Sequence, residues 1–110
     1  MTVQSKKYLD DILFAIELIE EFIEGVNSFI DYKNDRKTRS AVERQIGIIG
    51  EAANKYDKLN FGDTLKNIVQ IVGLRNRIIH AYDSINDAVI WAIVKKHLPL
   101  LRKEVQSKLK

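Results

Sequence analysis

The 110 residues of this chain predict an all-α protein: one domain, residues 1–110, folded as an up-and-down bundle of four or five helices. Three observations point there. Apolar residues recur at spacings of three and four along nearly the whole chain. Only one proline and five glycines interrupt it. No stretch alternates with the two-residue period of a half-buried strand. Composition agrees, since 45% hydrophobic and 30% charged residues describe a folded globular chain. A chain of this size buries roughly two-thirds of its unfolded surface, enough for one modest core.

Leu9, Ile12, Ile16, Ile19, Ile23, Val26 and Ile30 form a heptad stripe, the seam of one long first helix against near-antiparallel neighbours. The polar run Asp31-Tyr32-Lys33-Asn34-Asp35 should end it. A second helix follows over about Lys37–Lys58, with Val42, Ile46, Ile49, Ala53 and Tyr56 as its stripe. Gly47 and Gly50 lie inside it at a cost of ~1 kcal/mol each relative to alanine. The small residues Gly50, Ala52 and Ala53 there let another helix approach closely. Asn60-Phe61-Gly62-Asp63 reads as a loop, with Asn60 or Asp63 capping a third helix over about Thr64–Tyr82. Ile71, Ile78, Tyr82 and Ile85 point together toward the core. Ser84 and Asp87 resemble a capping box, which starts a fourth helix near Ile85. Pro99 lacks an amide proton, so the chain kinks or restarts there. Leu100, Leu101, Val105 and Leu109 then line a short final helix with a basic outer face.

Composition also excludes whole classes of function. Without cysteine there is no disulfide framework, thiolate nucleophile or cysteine metal site. The longest apolar run, Ala88–Val94, is far short of the ~20 residues of a membrane span. The N-terminal residues lead into acidic amphipathic sequence and not into an apolar secretion segment, so the expected location is cytoplasmic. Gly47-Ile48-Ile49-Gly50-Glu51 lacks the lysine of a phosphate-binding loop. His80 and His97 are too far apart for a local zinc motif, and the expectation is no metal and no cofactor. Glu17, Glu20, Glu21 and Glu24 read as a solvated face of the first helix. Net charge is +3, but it runs from −4 over residues 1–30 to +2 over 31–60 and +5 over 61–110. That asymmetry fits a polyanionic partner, and equally an ordinary bundle with unevenly spread lysines. No helix-turn-helix pattern supports a DNA-binding protein.

The segment Leu74-Arg75-Asn76-Arg77-Ile78-Ile79-His80-Ala81-Tyr82-Asp83 concentrates the chemistry. On a regular helix Asn76 and Arg77 share a face with His80, while Arg75 and His80 diverge by ~140°. Imidazole is the side chain suited to proton transfer near neutrality. A neighbouring guanidinium holds phosphate through paired charge-assisted hydrogen bonds. Together they suit RNA phosphodiester cleavage, in which the 2′-hydroxyl is an internal nucleophile. The same residues are also consistent with a histidine at a helix junction and arginines on the surface.

Arg75, four residues, His80, one residue and Tyr82, with Asn76 directly after the arginine, resemble the signature of the HEPN superfamily. They most closely resemble the HepT-like toxins of HEPN/MNT (type VII) toxin–antitoxin pairs. Asp11-Ile12-Leu13, Asp35 through Ala41-Val42, Ile48 through Asn54 and Leu98-Pro99-Leu100-Leu101 extend the likeness over roughly residues 8–106. One departure stands out: Asn67-Ile68 occupies the place where members often carry Pro-Trp, so the third helix is free to start earlier. The resemblance implies a homodimeric, metal-independent ribonuclease with a composite cleft where two motif helices meet. It makes His80 the general base or acid and Arg75 the stabiliser of the pentacoordinate phosphate. Asn76 orients the histidine or the phosphate, and Arg77 is a surface or phosphate-contact residue. Tyr82 matches the tyrosine adenylylated by a cognate MNT-type nucleotidyltransferase antitoxin, a role compatible with core packing. Glu51 could face the cleft, though helix packing is the favoured reading; Trp91 reads as core and His97 as surface. The implied partners are a second copy, the antitoxin and RNA. The alternative is a non-catalytic HEPN module that binds nucleotide or protein alongside a nucleotidyltransferase.

Overall fold

The computed structural model describes residues 1–59 and 62–110, with the side chain of Tyr82 also outside the described part. Among the described residues six α-helices follow in order: α1 Val3–Phe22, α2 Phe29–Lys33, α3 Arg36–Leu59, α4 Ile68–His80, α5 Asp87–Ala92 and α6 Leu98–Leu109. A 3₁₀ turn, Tyr82–Ser84, joins α4 to α5, and a π-helical turn, Ile93–His97, carries α5 into α6. Among the described residues there is no strand, and no helix is long and apolar enough to cross a membrane.

The core lies between α1 and α3. Leu9, Ile12, Ile16 and Ile19 are buried against Val42, Ile46, Ile49, Ala53 and Tyr56, so the second predicted stripe faces inward and the first does so as far as Ile19, while Ile30 at its end is exposed. Val94, Leu98, Leu101 and Val105 close the bundle from the α6 side. The expected surface role of Glu17 and Glu20 holds, and both pair with Arg102 of α6.

Local chemistry sets the helix boundaries. Thr2 caps α1, its hydroxyl accepting from the Ser5 amide at 3.0 Å. The single long first helix does not form. The chain leaves α1 after Phe22, turns through Gly25 at φ 84°, and restarts at α2 under a Ser28 cap. Glycine adopts that left-handed backbone without the cost other residues incur, which decides the break. Asp35 opens α3, one carboxylate oxygen accepting from the Thr38 amide at 3.0 Å and the other from its hydroxyl at 2.6 Å. Those bonds hold the Asp35 carboxyl below its usual range.

Helix α4 begins four residues later than expected and ends two earlier. Asp63 does not cap it: its carboxylate accepts from the Tyr56 hydroxyl at 3.0 Å and from Lys108 at 2.6 Å. Burial, with that hydrogen bond, pushes the Tyr56 hydroxyl up to about 12. The Lys66 amide donates to Glu104 at 2.9 Å and Leu65 is buried, so the segment before Asn67 is fastened to the bundle instead of coiling. The missing proline therefore does not advance the helix start. The other candidate cap, Asn60, lies outside the described residues. The Ser84–Asp87 capping box is also absent. Ser84 turns its hydroxyl back to the Ala81 carbonyl, while Asn86 caps α5 by accepting from the Ala88 and Val89 amides. Near Pro99 the helix restarts as expected. The Leu98 amide reaches back five residues to Ile93, which makes the π turn, and proline enters the first turn of α6, where its missing amide costs least.

Candidate active site

Helix α4 packs chiefly on α3, and Gly50 permits the approach. A β-carbon at Gly50 would lie 2.2 Å from Arg75 Cβ and 2.8 Å from Arg75 Cγ. The small-residue reading of this segment is thus borne out, with Gly50 as the decisive member. The close approach fixes the stem of Arg75 against α3, and its head is then held from two sides. Arg75 Nη2 donates to Glu51 of α3, and Nη1 donates to Asn76 Oδ1 at 2.9 Å. Arg75 is 24% exposed and Glu51 41%, so the guanidinium end of the pair is partly shielded from water, which strengthens the attraction. The buried Arg75 Nε has no hydrogen-bond partner among the described residues. A guanidinium carries five N–H donors, which leaves one hydrogen on each terminal nitrogen to meet an oxyanion.

The other oxygen of Glu51 lies 3.6 Å from Lys55 Nζ, so one carboxylate serves two cations. Asn76 is exposed and committed to Arg75, not to His80. His80 is the last residue of α4 and exposed, and its imidazole makes no hydrogen bond among the described residues. One chain therefore presents Arg75 and His80 on the same helix but does not join them. α4 itself buries no residue fully: Ile71, Leu74 and Ile78 are half-buried against the core, while Val69 and Ile79 are 77% and 48% exposed.

Residues 12–107 match the family model described as Ribonuclease HepT-like. The chain belongs to the HepT-like ribonuclease family. A Thermococcus cleftensis protein named "Probable ribonuclease HepT" is 39% identical over 101 residues, 88% of each chain. A Methanocaldococcus jannaschii protein named as a putative RNase is 36% identical over 103 residues, covering 92% of this chain and 93% of its own. A third, named likewise, from Caldanaerobacter subterraneus subsp. tengcongensis, is 33% identical over 104 residues, covering 93% and 91%. No solved structure matches the chain significantly.

In this HepT-like chain the other residues singled out in the sequence lie on different elements. Arg77 is exposed beside a shallow recess that it shares with Leu74, Ile85 and Asn86, on the flank of α4 toward α5. The helix phase that linked Tyr82 to Ile78 is lost, because α4 stops at His80 and Tyr82 opens the 3₁₀ turn. The packing reading of the Tyr82 side chain lies outside the described residues. Trp91 stacks on buried Tyr32 with ring centroids 5.2 Å apart, and His97 is exposed. Of the two readings of Glu51, helix packing and facing the cleft, the ion pair with Arg75 goes with the second. The only local signal for that pair was the adjacency of Glu51 to Gly50, the point where another helix had to come close.

Proposed function

We propose that this chain is a metal-independent endoribonuclease toxin that acts as a homodimer and is silenced by a nucleotidyltransferase antitoxin. The observation that carries the reading is Arg75, oriented by Glu51 and Asn76, on the helix that ends in an exposed His80. Membership of the HepT-like family, and the ribonuclease names of its relatives, support it.

His80 takes the proton of an RNA 2′-hydroxyl, and the 2′-oxygen attacks the adjacent phosphorus. The bond to the 5′-oxygen breaks as that oxygen gains a proton, leaving a 2′,3′-cyclic phosphate and a 5′-hydroxyl. The free N–H groups of Arg75 meet the charge that builds on the phosphate, so the residues themselves supply the positive charge the step needs. Arg75 and His80 diverge by ~140° on one helix, so a complete cleft uses a second copy related by a two-fold axis. The exposed Val69 and Ile79 give α4 apolar surface for that contact. The antitoxin transfers AMP from ATP to the Tyr82 oxygen with loss of pyrophosphate. The added phosphate repels RNA and occupies its place. Tyr82→Phe keeps the ring, lacks the acceptor oxygen and escapes neutralisation.

Subunit mixing tests the reading. His80→Ala and Arg75→Ala each abolish cleavage while helicity and dimer mass persist, and mixing the two variants restores part of the activity. Cleavage that survives in the His80→Ala homodimer overturns the assignment.

A further inference from the structure

Beside the Arg75–Glu51 pair, helices α1 and α3 leave an open cleft of about 140 Å³. Tyr8 and Ile48 line it, with Lys7 on one rim and Lys55 on the other. The two ammonium groups lie 5.8 Å and 6.0 Å from the centroid of the Tyr8 ring. Glu51 belongs both to this cleft and to the candidate active site: one of its oxygens faces Lys55 and the other holds Arg75. The cleft and the arginine are thus separated by a single carboxylate.

We propose that this cleft is a nucleotide subsite for single-stranded RNA, seating the residue next to the scissile phosphate. Its base stacks on Tyr8 and its phosphate lies between Lys7 and Lys55. The inference rests on the ribonuclease reading and adds the form of substrate that the site accepts. An aromatic ring flanked by cations is the arrangement that holds unpaired nucleotides, because every base has a π-face and every linkage a charge. A duplex keeps its bases stacked within the helix and offers none to the ring. Lys7 pairs with Asp11 at 2.8 Å and Lys55 with Glu51 at 3.6 Å in the free protein. These are exposed pairs of little strength, which a phosphate can displace. Counting Arg75, three cations meet two carboxylates, so the joined site carries net positive charge for the RNA backbone.

Full-length protein and a short fluorescent single-stranded oligonucleotide provide the test. Binding is measured on a His80→Ala background and steady-state cleavage on the wild-type background. Tyr8→Ala weakens binding and raises KM about ten-fold with kcat retained, while Tyr8→Phe behaves as wild type. Lys7→Gln combined with Lys55→Gln, both on the surface, flattens the dependence of log K on log salt by roughly 0.7, the loss of one phosphate contact. A matched duplex binds more weakly than the single strand and is indifferent to Tyr8→Ala. If the double lysine variant keeps the wild-type salt slope, or folded Tyr8→Ala keeps its affinity, the subsite is wrong. Parallel assays separate the two readings. Cleavage by wild type that ignores these substitutions removes the cleft alone, whereas no cleavage by wild type removes the activity on which the cleft depends.

Discussion

Gly50→Ala offers a quantitative test of how α3 positions the motif arginine. The new β-carbon falls 3.3 Å from the Ile71 carbonyl oxygen and 2.2 Å from Arg75 Cβ, the latter about 1.2 Å short of the 3.4 Å where ordinary contact begins. Neither neighbour is the free end of a flexible side chain, so α4 must withdraw from α3. Overpacking of this kind costs about 1–3 kcal/mol, against which alanine returns up to ~1 kcal/mol of helix propensity. The expected net loss is up to about 2 kcal/mol, a fall in Tm of up to roughly 8–16 °C for a domain near this size. Gly47 supplies the matched control, since it lies in the same helix and a β-carbon there would meet nothing within 4 Å. Gly47→Ala therefore keeps the propensity gain and raises Tm by a few degrees. Thermal unfolding followed by circular dichroism reads both variants on one instrument. Gly50→Ala should also lower RNA cleavage, because the Arg75–Glu51 pair depends on the same approach. Equal stabilisation by both substitutions would refute the close α3–α4 contact.

Three further outcomes follow from individual side chains. Glu51→Gln keeps the shape of the side chain but releases Arg75 from its charged partner, and should cut kcat for RNA cleavage about ten-fold or more through misplacement of the guanidinium; unchanged kinetics remove Glu51 as a positioning residue. Tyr32 is fully buried and its hydroxyl has no partner among the described residues, so Tyr32→Phe should be neutral or stabilise by ~1 kcal/mol, and a clear drop in Tm contradicts that description. The Asp35 carboxyl is held low by Thr38 in the folded state, so the unfolded chain takes up its proton first. The stability this contributes is present above the ordinary carboxylate value and disappears as pH falls through the lowered one. The Tm difference between wild type and Asp35→Ala should accordingly be widest near neutrality and shrink below about pH 4; a gap independent of pH argues against the cap.

The inward stripes of α1 and α3 were legible because heptad spacing over five or more apolar residues leaves one consistent way to bury them. Boundaries were less so, since each is a contest between local groups. Gly25 broke a stripe whose spacing runs on through Ile23, Val26 and Ile30, and Asn86 won the cap of α5 from Ser84. At the start of α4, tertiary bonds to Glu104, Tyr56 and Lys108 outcompeted a first helical turn. In the site, Arg75, Asn76 and His80 share one helix and could be read from spacing. Glu51 is 24 residues from Arg75, and only the packing of α4 against Gly50 brings them together.

The central claim is most directly tested by the ends of the RNA fragments. Purified protein incubated with end-labelled single-stranded RNA in excess EDTA should cleave it and leave 2′,3′-cyclic phosphate and 5′-hydroxyl termini, while His80→Ala leaves the RNA intact. Cleavage that requires added magnesium, or products that carry 5′-phosphate ends, would contradict the Arg75–His80 mechanism.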